Sequence, residues 1–274
     1  MAVLFDLSIR FMEQNVVARM AQLSGWQQVV YTLGIPMLGA LVAGLLLYYF
    51  VPEARGNDIP QVKVAYEITD GRIPLKVVIG KFLIGTLSIG TGSSLGREGP
   101  TVHICSGIVS VLGSVVPISS RQLANLLTVG SAAGIAAAFN APIAGITFTL
   151  EELVGDLSER IHLGSLIIAC VIAAVIERSI LGTHPVFEVP AYGLNNYSEL
   201  LFYTLLGILG GFVSLVFTRS LLRLRHFFQH HAIVPVWARP AIGGFIVGLT
   251  ALILLRFAGL RYRVSRHRGH LSSG

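Results

Sequence analysis

Three short segments lead from polar or flexible residues into a proline and then an apolar stretch: Gly56-Asn57-Asp58-Ile59-Pro60, Gly96-Arg97-Glu98-Gly99-Pro100 and Phe139-Asn140-Ala141-Pro142. Proline at the first helical position sacrifices no intrahelical hydrogen bond, so each segment predicts a helix start. A helix start leaves backbone N–H groups that no carbonyl of the same helix can accept, at the positive end of the helix dipole. Such ends attract anions, and several converging away from water hold one without a full compensating cation. Glu98 is the most informative side chain. In the tract Phe82–Ser120 the only other charged residue is Arg97, and a carboxylate facing lipid costs about 2.5 kcal/mol or more, so Glu98 must face a cavity or a partner. Being an anion itself, it competes for the place a bound anion would take, and its protonation removes the competitor. The plainer alternative is an Arg97–Glu98 ion pair steadying a turn, which is disfavoured because adjacent residues project differently from a helix.

Other candidates carry less. His103 and Cys105 stand two apart and face different sides of a helix, a poor metal pair, so packing is the preferred reading. Gly90 to Gly96 is glycine-rich but matches neither G-x-G-x-x-G nor the lysine-bearing phosphate loop. His226, His230 and His231 beside Arg225 read as interfacial anchors rather than metal ligands. Cys105 and Cys170 both lie in apolar runs, where a thiol is a small hydrophobe. No metal and no cofactor is expected.

The elements that must carry these residues are membrane helices. Of 274 residues 53% are hydrophobic and 12% charged, with a mean hydropathy of +0.73, whereas soluble domains carry about 25% charged residues. This excludes an ordinary soluble enzyme. The net charge of +6 comes mainly from Arg219–His226 and Arg256–His270, a membrane-flank pattern without the aromatic interleaving of a nucleic-acid site. Gln22–Pro52 contains no charge and is the clearest span, with Pro36 near its start or kinking it. Residues 1–21 are amphipathic, lack the features of a secretory signal and read as the tail of a helix. The later apolar runs, Phe82–Gly96, Gly99–Ser120, Gln122–Leu150, Ile161–Ile176, Leu200–Thr218 and Pro240–Leu255, are shorter and broken by Gly and Pro. That predicts interrupted or re-entrant helices, which are tolerated only where they are buried in protein or line a polar cavity. The small residues of Gly130–Gly145 predict close helix packing.

The segments TGSSLGREGPTVHICSGI at 91–108 and AAAFNAPIAGITFTLEEL at 136–153 resemble the CLC family of chloride channels and proton-coupled chloride transporters. PEARGNDIPQVK at 52–63 looks like that family's first anion-filter loop, usually written GSGIP, and PVFEVPAYGL at 185–194 is also similar. The resemblance runs over roughly residues 5–258. It implies an all-α membrane protein of tilted, partly re-entrant helices, the N-terminal half of a CLC-type inverted-repeat fold. Residues 1–258 are then a partial transmembrane domain and 259–274 a basic, disordered tail. By the resemblance, Glu98 falls on the gating glutamate and Glu152 on the inner proton-relay glutamate of exchanging members; the plainer reading of Glu151-Glu152 is an interfacial acidic pair at a helix end. The anion-binding set becomes Gly56, Asn57, Ile59, Pro60, Gly96, Arg97, Gly99 and Pro100. Helix Gly164–Leu181 would lie near a homodimer interface.

The departures from the family pattern matter too. Asn57 replaces the usual filter serine, and its amide can still donate to an anion. Asp58 replaces a glycine; a carboxylate beside the site repels an anion, so Asp58 is expected to cap the helix that begins at Pro60. The family's second filter loop, its GxFxP-type motif and its anion-coordinating tyrosine are not found, and the chain ends on RYRVSRHRGHLSSG, as a truncated chain or half of a split system would. The expected function is anion transport, chloride/proton exchange first and a passive chloride channel second, in a multi-pass protein of a prokaryotic cell membrane. An intramembrane hydrolase using Glu98, His103 and Ser94, and an inactive fragment, are the remaining alternatives.

Overall fold

The computed structural model describes residues 1–155, 163–182, 197–230 and 234–254. The motif at 185–194, the residue His231 and the tail at 259–274 lie outside the described residues. The elements in chain order are α1 (Ala2–Gln22), α2 (Trp26–Tyr49), a 3₁₀ turn (Pro52–Ala54), α3 (Asp58–Glu67), α4 (Leu75–Gly90), α5 (Glu98–Ser114), α6 (Ser120–Phe139), α7 (Pro142–Phe148), a π-helical turn (Thr149–Val154), α8 (Leu163–Leu181), α9 (Glu199–His230) and α10 (Arg239–Leu254). Among the described residues there is no strand. Among the described residues four helices, Trp26–Tyr49, Ser120–Phe139, Leu163–Leu181 and Glu199–Gln229, are long and apolar enough to cross a bilayer. The chain divides into two units, of which one holds α1–α8 with α10 and the other is α9.

In the first unit small residues set the packing distances. α5 lies against α6, where a Cβ on Gly130 would come within 3.0 Å of the Cys105 carbonyl and one on Gly134 within 3.1 Å of the Cys105 side chain. The Ser106 and Ser131 hydroxyls meet there at 2.5 Å. Around this seam a core forms from Phe5, Val62, Val102, Ile104, Leu127 and Leu153. The expectation that the Gly130–Gly145 stretch serves close packing is met.

Pro36 sits inside α2 rather than near its start. Having no N–H, it cannot bond the Thr32 carbonyl four residues back, and α10 packs its backbone against this turn, at the Thr32 and Pro36 carbonyls. A Cβ on Gly248 would lie 2.8 Å from the Thr32 oxygen, and one on Gly244 2.8 Å from Met37 Cα. Gly244 and Gly248 are four residues apart, so both fall on one face of α10 and bring its backbone onto α2.

The long run Gln122–Leu150 is broken where the sequence predicts. Asn140 ends α6 in the left-handed conformation, at φ 53°, and Pro142 begins α7. From α8, Arg178 Nε donates to Asn140 Oδ1 at 2.5 Å and a second guanidinium nitrogen donates to its carbonyl at 3.3 Å. The last span is longer than expected: α9 runs on through the basic residues Arg219–His226 to His230, because no Gly or Pro interrupts 212–230 and Leu and Arg are good helix formers.

Candidate functional site

The two motif loops close one cavity. The chain enters it from α2 through the 3₁₀ turn, and Gly56, at φ +114°, makes a bend that a side chain would strain. This loop is held from several sides. Arg55 Nε donates to the Leu47 carbonyl at 3.2 Å, with its guanidinium 4.8 Å over the Tyr48 ring. The Gln61 amide, one turn into α3, donates to the carbonyls of Arg55 and Glu53. Lys81 of α4 reaches the Gly56 carbonyl at 3.4 Å.

Both α3 and α5 begin two residues before their prolines, at Asp58 and Glu98, so Pro60 and Pro100 are third rather than first in their helices. The difference costs nothing, because the first turn has no intrahelical use for its N–H groups. The first internal bonds close immediately after each proline, from Gln61 N–H to the Asn57 carbonyl at 3.1 Å and from Thr101 N–H to the Arg97 carbonyl at 3.1 Å. The two starts meet: a Cβ on Gly99 would lie 3.1 Å from Asp58 Oδ2.

Beside this junction is a cavity of about 370 Å³ whose walls include Gly56, Asn57, Asp58, Lys81, Gly96 and Pro100. Of the anticipated anion-binding residues these four, Gly56, Asn57, Gly96 and Pro100, line it; Ile59, Pro60, Arg97 and Gly99 are not in its wall. Glu98 is not in its wall either, and its carboxylate folds back over the loop, with Oε2 2.6 Å from where a Cβ on Gly96 would be. The third predicted start, at Pro142, does not join the other two at this cavity.

Arg97 does not pair with Glu98. Its guanidinium bonds Asp6 of α1, whose other carboxylate oxygen accepts from Arg10 at 2.6 Å. The side chain of Arg97 is thereby turned into a strut between α1 and the α5 start. Asp58 does not cap its helix: the N-cap residue is Asn57, with no side-chain capping bond. The Asp58 carboxylate instead takes Lys81 Nζ at 2.5 Å, a stronger call on it than a backbone N–H because both groups are charged and Lys81 is buried. Behind the pair lies His103, 3% exposed, with Nδ1 3.7 Å from Asp58 Oδ1. Glu151 and Glu152 are exposed on the π turn, between the buried Thr149 and Leu153. That turn packs against α3, α6 and α7, so α3 carries the filter-like loop at its start and touches the acidic turn along its length.

Sequence reasoning missed Asp6, Lys81 and Arg178. The signal available was charge: Lys81 is a lone cation in the apolar run 77–96, and Asp6 is an acid in an otherwise apolar stretch.

An all-α assembly of membrane-length helices, with two interrupted loops whose helix starts meet beside one cavity, is the architecture of an integral membrane protein that keeps its non-helical backbone among its helices rather than in lipid. The chain belongs to the voltage-gated chloride channel family, whose pattern matches residues 39–268. It is 30% identical over 257 residues to the H(+)/Cl(-) exchange transporter ClcA of Salmonella arizonae, a match covering 92% of this chain and 54% of that protein. Its fold superposes on a slow cyanobacterial Cl-/H+ antiporter with a TM-score of 0.81 at 27% identity, over 92% of this chain and 60% of the other. A CLC-type fluoride/proton antiporter shares the fold with a TM-score of 0.71 at 21% identity, over 93% and 63%. The chain spans about half the length of the curated relatives it matches.

Proposed function

We propose that this chain moves chloride across a prokaryotic cell membrane in exchange for protons. The observation that carries the reading is the pair of helix starts meeting at the cavity, with the Glu98 carboxylate folded against Gly96 in its wall. Among the wall residues, Asn57, Asp58 and Gly96 carry backbone N–H groups at or beside the two helix starts, and with the Asn57 side-chain amide these suit an anion. Glu98 then alternates between an ionised state that competes for the anion's place and a protonated state that carries a proton past it. Glu152, exposed on the π turn, exchanges that proton with water on the far side. The working unit is a homodimer joined along α8, whose Ile168, Ile172 and Val175 are exposed in the single chain. The relatives named above are a transporter and antiporters, and this chain is read as a transporter, not an enzyme.

The test is flux in liposomes reconstituted with this chain. An imposed chloride gradient drives proton movement in the opposite direction, and Glu98→Gln keeps the chloride flux while abolishing proton movement, because a neutral amide neither carries a proton nor competes as a charge. Intact proton coupling in Glu98→Gln removes that residue from the role, and absence of any chloride flux from the wild-type chain removes the reading.

A further inference from the structure

The cavity wall holds a charge pair that a helix-dipole site does not need. Lys81 is 8% exposed and its ammonium has two oxygens within reach, Asp58 Oδ1 at 2.5 Å and the Gly56 carbonyl at 3.4 Å. Lys81 and Asp58 both line the cavity with Gly56 and Asn57. A bare ammonium in that wall would hold an anion by full charge, in surroundings where screening by water is weak. A bare carboxylate there would repel it. Paired, the two nearly cancel, and what remains in the wall is backbone dipoles and the Arg55 guanidinium, which is held over the Tyr48 ring and on the Leu47 carbonyl.

We propose that Asp58 sets how tightly the cavity holds its anion, by neutralising Lys81, and that the pair is matched so that the site binds weakly enough to release. The proposal rests on the reading of the cavity as an anion site. It makes Asp58 an affinity-determining residue rather than a helix cap, and Lys81 its counterweight rather than a ligand. The two single changes therefore act with opposite sign. Asp58→Asn leaves the ammonium unopposed and tightens chloride binding by about tenfold or more, while Lys81→Met leaves the carboxylate unopposed and weakens it by a similar factor. The double variant returns near the wild-type affinity. A pair that served structure alone would weaken binding with either single change.

The experiment is calorimetric titration of sodium chloride into the purified full chain in detergent, for wild type, the two single variants and the double. Opposite shifts of the two singles, cancelling in the double, support the proposal. Equal affinities throughout, or weakening by both singles, overturn it while leaving the cavity an anion site. If Asp58→Asn does not fold, the comparison of Lys81→Met with the double variant isolates the carboxylate in the absence of the ammonium: the double binds about tenfold tighter if Asp58 faces the anion, and equal binding overturns the proposal. Single variants that both fail to fold, beside a double that folds and binds as wild type, reduce the pair to a structural role and also overturn it. No chloride binding by the wild-type chain sinks this proposal together with the reading of the cavity.

Discussion

The space beside Gly96 that a Cβ would fill is taken by the Glu98 carboxylate, whose Oε2 sits 2.6 Å from that point. Gly96→Ala therefore displaces the end of a flexible side chain rather than backbone, and its cost to the fold is small, below about 1 kcal/mol. The expected outcome is a melting temperature close to wild type with a chloride flux that depends less on pH, measured in liposomes across pH 4.5 to 7.5, because the carboxylate can no longer rest where it does. An unchanged pH dependence means the folded-back position has no part in gating. This neighbourhood was partly legible in the sequence. Glycine, proline and a lone acid within five residues announce a helix start with a charge problem, and local chemistry suffices to read them. The pairs Arg97–Asp6 and Lys81–Asp58 were not legible: the first joins residues 91 positions apart, and no local pattern says which distant acid an isolated base will find. Asp58 was misjudged for the same reason, since a capping role is the best local use of an aspartate only until a buried lysine arrives from another helix.

At the level of elements, the break at Asn140-Ala141-Pro142 could be read directly, because asparagine tolerates the left-handed conformation and proline begins a helix. The π turn that follows could not, since nothing in Thr149–Val154 distinguishes six residues of π-helix from α-helix in composition. Its consequence is testable. Glu152→Gln abolishes proton coupling and leaves chloride flux, whereas Glu151→Gln is milder; exchange of the two effects would show that the widened turn presents Glu151, not Glu152, to the proton path. The contact of α10 on α2 yields a second expectation. Gly244→Val drives two methyl groups into the backbone at Pro36 and Met37 and costs about 1–3 kcal/mol. Gly243→Val, one residue away, meets nothing within 4 Å and leaves stability nearly unchanged. Melting of the two variants in detergent, monitored by light scattering, separates them; equal melting temperatures would mean α10 does not lie on α2.

For the molecule as a whole, the question is whether this chain forms its core unaided. Cys170 of α8 is fully buried against Ala132, Ala136 and Leu166, although neighbouring α8 residues such as Ile168 and Ile172 are exposed. A membrane-permeant maleimide should thus leave Cys170 unmodified in the folded chain and modify it in sodium dodecyl sulfate, as read by intact mass and peptide mapping. Modification of Cys170 in mild detergent at the rate seen in denaturant would show that α6 and α8 do not pack in this chain. The extent of the fold could be read from composition and motif order, because interrupted apolar runs and membrane-length helices are properties of long stretches. Which helices touch could not, since it depends on where single glycines fall on facing helices.

The glycine-lined meeting of α2 and α10 also has a history in time. Gly44 packs on the Trp237 carbonyl and on Pro240, 193 positions later in the chain for the nearer of the two, so this face of α2 is made long before the surface that will cover it. At about 5–20 residues per second, synthesis reaches Trp237 about 10–40 seconds after Gly44. Through that interval the Thr32 carbonyl, left without its helical donor by Pro36, has only lipid, the insertion machinery or a transient neighbour beside it. A ribosome stalled between the two segments would hold the nascent chain in a state with α2 uncovered, and crosslinkers placed near residue 44 on such stalled chains would report whichever of those companions guards it.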